Sequence, residues 1–228
     1  MLILAVDTTT PSGSVALLEG ENLLGEANVE SAATHSARLL RSVDYLLGAF
    51  GRDIREVEAF SVAVGPGSFT GIRIGVGAVK SLAFASAKPV APVSTLLALA
   101  SKLSAEGARL VCPLLDAKKE EVYAALFEAR KAGLRELIPQ GAYGPDAFFA
   151  RLPARRVIAF AGSGLAPYRP KLLAYVRDKA RFPRRSAFIA AEVGRIGRAL
   201  VLEGKGVDAA ALEPIYFRRS QAEETCRS

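Results

Sequence analysis

Apolar residues in the first half of the chain occur in short runs separated by polar turns, and then at helical spacing. The runs at residues 2–6, 14–18 and 23–29 have turn residues between them, which predicts a three-stranded meander. Residues 31–50 carry apolar side chains three or four positions apart, which predicts a helix. Residues 59–64 form a fourth apolar run before a glycine-rich turn and a second amphipathic stretch. This order predicts a sheet with helices packed on it.

The second half repeats the same order of elements. Strands are predicted from the apolar runs at residues 110–115, 122–127, 134–138 and 156–161. Helices are predicted near residues 146–152 and at residues 186–202. Two successive copies of strands followed by helices predict a duplicated α/β lobe. We place the lobe boundary near Glu106, which gives a first lobe of residues 1–106 and a second of residues 107–228.

The segment GPGSFTGIRIG at residues 65–75 places glycines at Gly67, Gly71 and Gly75, four residues apart, and the spacing persists after the predicted helix begins. Glycine in a helix costs about 1 kcal/mol relative to alanine, so three on one stripe imply a reason. Close approach of another helix is the interpretation we favour. A phosphate cradle and a purely structural turn are the alternatives, but the lysine of a phosphate loop is absent after Gly71.

The net charge of +7 is unevenly distributed. Residues 1–100 carry seven Lys or Arg and nine Asp or Glu, whereas residues 101–228 carry 23 and 14 and are therefore basic by nine charges. A basic half fits attraction to phosphate backbones, although scattered arginines that solvate a surface would give the same count. No aromatic stacking motif interleaves the basic residues, so the sequence predicts no autonomous RNA reader.

Composition also bears on compartment and metal chemistry. No apolar run approaches the ~20 residues of a membrane span, and the first residues resemble a strand more than a leader, so a cytoplasmic protein with no membrane partner is expected. Cys112 and Cys226 are predicted to be free thiols. His35 is the one histidine, so no metal site is expected, and together with Thr34 and Ser36 it is predicted to help start the first helix.

The glycine segment resembles that of the YeaZ/TsaB family, the partner subunit in bacterial threonylcarbamoyladenosine (t6A) tRNA modification. Four other segments agree with the family in the same order: ILAVDTT (3–9), THSARLL (34–40), DAKKEEVY (116–123) and PIYFR (214–218). They span nearly the whole chain. The resemblance implies the two-lobed α/β fold shared by actin, sugar kinases and Hsp70 (the ASKHA fold), with a reduced second lobe and residues 214–218 packed back on the first.

The resemblance also implies a function. It predicts a non-catalytic scaffold that binds and stabilises the catalytic paralogue TsaD, joined by the ATPase TsaE and by tRNA, in a complex that installs the threonylcarbamoyl group on adenosine 37 of ANN-decoding tRNAs. The chain could also pair with itself in isolation. No cofactor is firmly assigned to it, and ATP or ADP with Mg²⁺ would enter at the level of the complex.

Asp7, Thr8 and Thr9 lie where this fold places its first phosphate loop, so a nucleotide site is one interpretation. A turn in which these side chains bond loop amides is the other, and we favour it because no second acidic phosphate loop is found. An independent ATPase or kinase that uses Asp7 is therefore the alternative function. A protease is a weaker hypothesis, because the sequence supports no Ser–His–Asp constellation.

Two further groups of residues are candidates for contacts with partners. Lys118 and Lys119 could contact tRNA, or they could simply belong to a solvated hairpin turn. The apolar residues on the first two helices exceed what one face needs to cover a sheet, so part of them could pack against helices of a partner, the alternative being internal core. These candidates are Leu39, Leu40, Val43, Leu46, Leu47, Gly71, Ile74, Gly75 and Val76.

Overall fold

The computed structural model describes residues 1–30, 35–105, 107–184 and 186–217. It divides into two compact units, the first made of Met1–Thr95 with Phe188–Tyr216 and the second of Leu96–Ala187 with Phe217–Ser228. The strands are β1 (Leu2–Asp7), β2 (Ser12–Glu19), β3 (Asn22–Glu30), β4 (Ala59–Ala63), β5 (Val90–Val93), β6 (Leu110–Lys118), β7 (Glu121–Arg130), β8 (Gly133–Tyr143), β9 (Ile158–Ala161) and β10 (Ala180–Arg181). The helices are α1 (His35–Ala49), α2 (Phe69–Ser86), α3 (Thr95–Ser104), α4 (Pro145–Phe149), α5 (Leu165–Val176) and α6 (Ala190–Leu202).

The first unit is a five-stranded sheet in the order β3-β2-β1-β4-β5, with helices on both faces. β1 is antiparallel to β2 and parallel to β4, and its side chains alternate between the two faces. Leu4 and Val6 point into a core that includes residues of α1 and α2. Ala5 points to the opposite face, where it lies beside Gly194 of α6. One face of this sheet is therefore covered by α1 and α2, and the other by α6.

The helix α6 belongs to the first unit although it follows the second unit in sequence. The Ser61 hydroxyl donates a 2.9 Å hydrogen bond to the Val193 carbonyl oxygen, and the Ala190 N–H donates one of 3.1 Å to the Ser14 hydroxyl. The division of the structure therefore differs from the predicted boundary at residue 106, since residues 188–216 return to the first sheet. An apolar helix pattern does not reveal which sheet the helix covers.

The second unit contains a five-stranded sheet in the order β10-β9-β6-β7-β8. This is the order of the first sheet, with β6 in the place of β1 and β9 in the place of β4. Phe148, Phe160 and Leu172 lie in its core, which α4 and α5 help to form. β10 has only two residues where β5 has four. The predicted α/β fold with two related lobes is thus confirmed, and α5, which the sequence did not predict, completes the second copy.

None of the helices in the described ranges is both long enough and apolar enough to span a membrane.

Candidate functional site

Asp7, at the end of β1, is the acidic residue of the turn that was considered as a nucleotide site, and its side chain is fully buried. Its Oδ1 accepts hydrogen bonds from the Thr9 N–H at 2.9 Å and from the Thr9 hydroxyl at 2.6 Å. Its Oδ2 is buried and has no hydrogen-bond partner in the described part of the chain. Burial raises the pKa of Asp7 to about 6, with the Thr9 hydrogen bonds opposing and the charge of Glu26 adding to the rise.

Thr8 and the glycine-rich turn interlock. The Thr8 hydroxyl donates a 2.7 Å hydrogen bond to the Gly71 carbonyl oxygen, and the Ser68 N–H donates one of 2.7 Å to the Thr9 carbonyl oxygen. A methyl group added at Gly67 would collide with Thr9, and one added at Gly71 or Gly75 would collide with Thr8. The prediction that this stripe contacts a partner helix is therefore wrong at Gly71 and Gly75. The glycines are required because the turn after β1 packs directly on the start of α2.

These contacts leave few polar groups of the Asp7–Thr9 turn free to bind a ligand, in line with the interpretation favoured from the sequence. The side chains of Asp7, Thr8 and Thr9 are buried, and both threonine hydroxyls donate within the unit. A carboxylate that binds Mg²⁺ through water, or hydroxyls that donate to phosphate, would have to be accessible. The turn in this conformation does not fit a nucleotide phosphate. Its geometry favours the alternative in which these polar groups hold the loop together.

The segment after α6 returns across the same turn. The Ile215 N–H donates a 2.7 Å hydrogen bond to the Val64 carbonyl oxygen. The Tyr216 ring packs on Phe69 with centroids 5.0 Å apart, and the Arg73 guanidinium lies 3.9 Å from the centre of the same Phe69 ring. Arg73 also donates through Nε to the Tyr216 hydroxyl at 3.2 Å. Part of the PIYFR motif thus fastens the chain to the first turn of α2, while Arg218 lies outside the described residues.

Most of the apolar candidates on α1 and α2 prove to be core. Leu39, Val43, Leu46 and Leu47 on α1 are buried against the first sheet together with Val76 of α2. Ile74 is partly buried and packs against the same core. The prediction of a partner contact is therefore wrong for these buried side chains, because each helix needs that stripe to cover its own sheet. Leu40 alone among them is largely exposed.

A different set of residues forms the outer face of α1 and α2. Leu40, Tyr45 and Phe84 are 54%, 71% and 79% exposed, which is unusual for side chains of this size. A Cβ added at Gly48 of α1 or Gly77 of α2 would meet no atom within 4 Å. The two helices contact each other, and we call the solvent-facing sides of both, at these five positions, the outer helix face. Tyr45, Phe84 and Gly77 were not predicted from the sequence, although the helical spacing places each on the side of its helix away from the buried stripe.

The hairpin between β6 and β7 holds the two lysines predicted to contact tRNA. Lys118 pairs with Asp116 at 2.7 Å, and its N–H donates to the other carboxylate oxygen at 2.9 Å. Lys118, Lys119 and Glu120 have φ values of 62°, 48° and 58°, a left-handed run that non-glycine residues rarely adopt. The pairing partly neutralises Lys118, and contact with tRNA stays a prediction here. Among the described residues, no group of three or more His, Cys, Asp or Glu side chains could hold a metal ion.

The two sheets of like topology place the chain in the actin-like class of α/β proteins, the ASKHA fold. The ROK hexokinase from Thermus thermophilus shares that fold, with a TM-score of 0.53 at 16% identity, over 89% of this chain and 100% of the hexokinase chain.

Comparison with known proteins identifies the family within this fold class. The family model for TsaD, tRNA N6-adenosine threonylcarbamoyltransferase, matches residues 29–166. A Pseudomonas aeruginosa protein described as similar to peptidase YEAZ is 30% identical with a TM-score of 0.84, over 95% of this chain and 99% of its own. The tRNA threonylcarbamoyladenosine biosynthesis protein TsaB of Haemophilus influenzae is 39% identical over 125 residues, which are 54% of this chain and 52% of that protein. The chain therefore belongs to the TsaD-type family and, within it, to the YeaZ/TsaB group.

Proposed function

We propose that this chain is a non-catalytic subunit that binds and stabilises TsaD, within the complex that installs the N6-threonylcarbamoyl group on adenosine 37 of ANN-decoding tRNAs. The observation that carries the proposal is the outer helix face, where Leu40, Tyr45 and Phe84 are exposed beside two glycines with open space above them. Large exposed apolar side chains on one surface are typical of a protein contact. Membership of a family named for threonylcarbamoyladenosine biosynthesis supports the choice of partner.

The geometry of the outer helix face supports a helical partner. Gly48 and Gly77 carry no side chain, so the backbone of a neighbouring helix could approach them closely while the flanking aromatic rings pack around it. Two helices of the partner on α1 and α2 would form a four-helix bundle. A second copy of this chain presents the same surface, so self-pairing in the absence of TsaD is expected through the same residues.

The non-catalytic part of the proposal follows from the state of Asp7. Its carboxyl group is buried and holds the backbone of its own turn, so it has no access to a phosphoryl group. The other required components, TsaE and ATP with Mg²⁺, are proposed to act in the complex. The alternative, an independent ATPase or kinase, requires the isolated chain to hydrolyse ATP and Asp7→Asn to abolish that turnover. We expect no turnover in either protein.

The direct test of the partner proposal is association with purified TsaD from the same organism, measured by isothermal titration calorimetry. Charged substitutions on the outer helix face, Tyr45→Arg and Phe84→Arg, should weaken binding by at least tenfold, because each buries a guanidinium in an apolar contact. Leu202→Arg is the matched control. Leu202 is 63% exposed, but it lies on α6, which covers the opposite face of the sheet. Equal affinity of all three variants and the wild-type chain would contradict the proposal.

A further inference from the structure

One end of the second sheet gathers basic residues that are far apart in the sequence. β6 runs antiparallel to β7, with Leu110 opposite Glu128, and parallel to β9, with Val111 opposite Ala159. The start of β6, the end of β7 and the approach to β9 therefore meet at the same end of the sheet. We call this region the basic edge and define it by Arg109, Glu128, Arg130, Lys131, Arg155 and Arg156.

Glu128 is the centre of the basic edge. Its side chain is only 10% exposed, and its Oε2 accepts from both Nε and Nη2 of Arg130, at 3.0 and 2.9 Å. The other oxygen, Oε1, lies 3.3 Å from Nη2 of Arg156 and 3.4 Å from Nε of Arg109. One carboxylate thus orients three guanidinium groups that come from three different strands or their flanking turns.

The positive charge of the basic edge greatly exceeds what Glu128 can neutralise. Three guanidinium groups contact Glu128, and Lys131 and Arg155 directly neighbour two of them in the sequence, so the five cations and one carboxylate of the edge give it a net charge of about +4. Lys131 and Arg155 are exposed and form no ion pair with any residue in the described ranges. The Arg109 side chain is 77% exposed, so its remaining N–H groups face water. The neighbouring guanidinium groups lower the pKa of Glu128, which therefore stays ionised and keeps its positioning role at neutral pH.

We propose that the basic edge binds the sugar–phosphate backbone of RNA, a role that rests on the proposed function because that function brings tRNA to the complex. Guanidinium groups match phosphate oxygens with paired N–H donors, and here their orientation is fixed in advance. Three neighbouring strands, about 4.8 Å apart, spread these donors over about 10 Å, which is enough to reach more than one phosphate. Val157, which follows Arg156, is a large apolar side chain that is exposed beside these cations. One such side chain is too small an apolar surface to insert into a membrane.

The test uses a fluorescein-labelled tRNA transcript and the full chain, with Kd measured by fluorescence anisotropy between about 50 and 200 mM salt. Lys131→Gln with Arg155→Gln removes two cations from the basic edge without breaking a Glu128 contact. Arg195→Gln with Lys205→Gln makes the same change in charge at two exposed positions on and just after α6, in the first unit, and is the matched control. The edge variant should bind about tenfold more weakly, and its slope of log Kd against log salt should fall by about one to two units.

Several outcomes would overturn the inference. If both double variants lose the same affinity, a diffuse field explains the binding and the edge has no special role. The inference is also wrong if the edge variant binds tRNA with the affinity of the wild-type chain. If that variant instead loses binding to phosphatidylserine vesicles, the basic edge binds membranes and not RNA. Calorimetry with TsaD keeps the two proposals separate. Both double variants should bind TsaD with the affinity of the wild-type chain. Failure of the wild-type chain to bind TsaD would contradict the proposed function, whereas the tRNA measurements test RNA binding by the basic edge separately.

Discussion

Thr8 occupies the space in which a side chain at Gly75 would lie, and one turn earlier its hydroxyl donates a 2.7 Å hydrogen bond to the Gly71 carbonyl oxygen. This single residue explains both the glycine stripe of α2 and the inaccessibility of the turn after β1. The same contact that holds the helix against the sheet takes the threonine hydroxyl away from any ligand. In the first unit this turn therefore has a structural role in holding α2 against the sheet.

The glycine contact predicts opposite effects for the same substitution at two positions of α2. Gly71→Ala should lower the free energy of unfolding by about 1–3 kcal/mol, because the new methyl group collides with the backbone oxygen of Thr8. Gly77→Ala should raise it by about 0.5–1 kcal/mol, since open space surrounds that position and alanine favours the helix. Urea denaturation of the two variants measures both effects. A stable Gly71→Ala variant would show that α2 does not pack on the turn as described.

The buried Asp7 predicts a specific pH dependence. Its pKa of about 6 in the folded protein lies above the ordinary value of 3.8, so the folded state holds a proton that the unfolded state has already released. Stability should therefore fall as pH rises from about 4 to about 6, with the whole loss present at neutral pH. Relative to Asp7→Asn, the wild-type chain should gain about 3 kcal/mol between pH 7 and pH 4. A difference between the two proteins that does not change with pH would contradict this account.

The returning segment predicts a difference between two tyrosines. Tyr216→Ala should lower the free energy of unfolding by about 1 kcal/mol, because Tyr216 packs on Phe69 and bonds to Arg73. Tyr45→Ala is the control, since Tyr45 is mostly exposed and should leave the melting of the monomer nearly unchanged. Thermal unfolding at low protein concentration compares the two. Equal melting temperatures for both variants would mean that the segment adds no stability to the start of α2.

The sequence predicted which segments form strands and helices better than it predicted what each of them packs against. Apolar runs between turns and helical spacing identified most strands and helices of both sheets, because burial sets those patterns, but the two-residue strand β10 was not predicted. The helix α5 was missed because Pro167 and Pro170 interrupt a weakly amphipathic run. The glycine stripe was recognised, but the partner inferred for it was wrong, since spacing shows that a close contact exists and does not show with what. Here the contact is a turn in which Thr8 lies 63 residues before Gly71.

The two surfaces proposed for partners show the same limit. Leu40 was predicted from the sequence, whereas Tyr45 and Phe84 were not, because an apolar excess on a helix does not tell core from exposed side chains. Arg109, Arg130 and Arg156 were not predicted at all. Only the register of β6 with β7 and β9 brings them to one carboxylate, and that register is not visible in the local pattern. Contacts of high sequence separation had to come from the structure.

The central claim is that this chain acts by binding TsaD and performs no chemistry of its own. The most direct measurement is reconstituted modification of an ANN-decoding tRNA from threonylcarbamoyl-AMP, with TsaD, TsaE and ATP supplied and the chain added, omitted or replaced by the Tyr45→Arg/Phe84→Arg double variant. Our account predicts product with the wild-type chain and with Leu202→Arg. It predicts little without the chain or with the double variant, and none from the chain without TsaD. Full activity in the absence of the chain, or product formed by the chain alone, would contradict it.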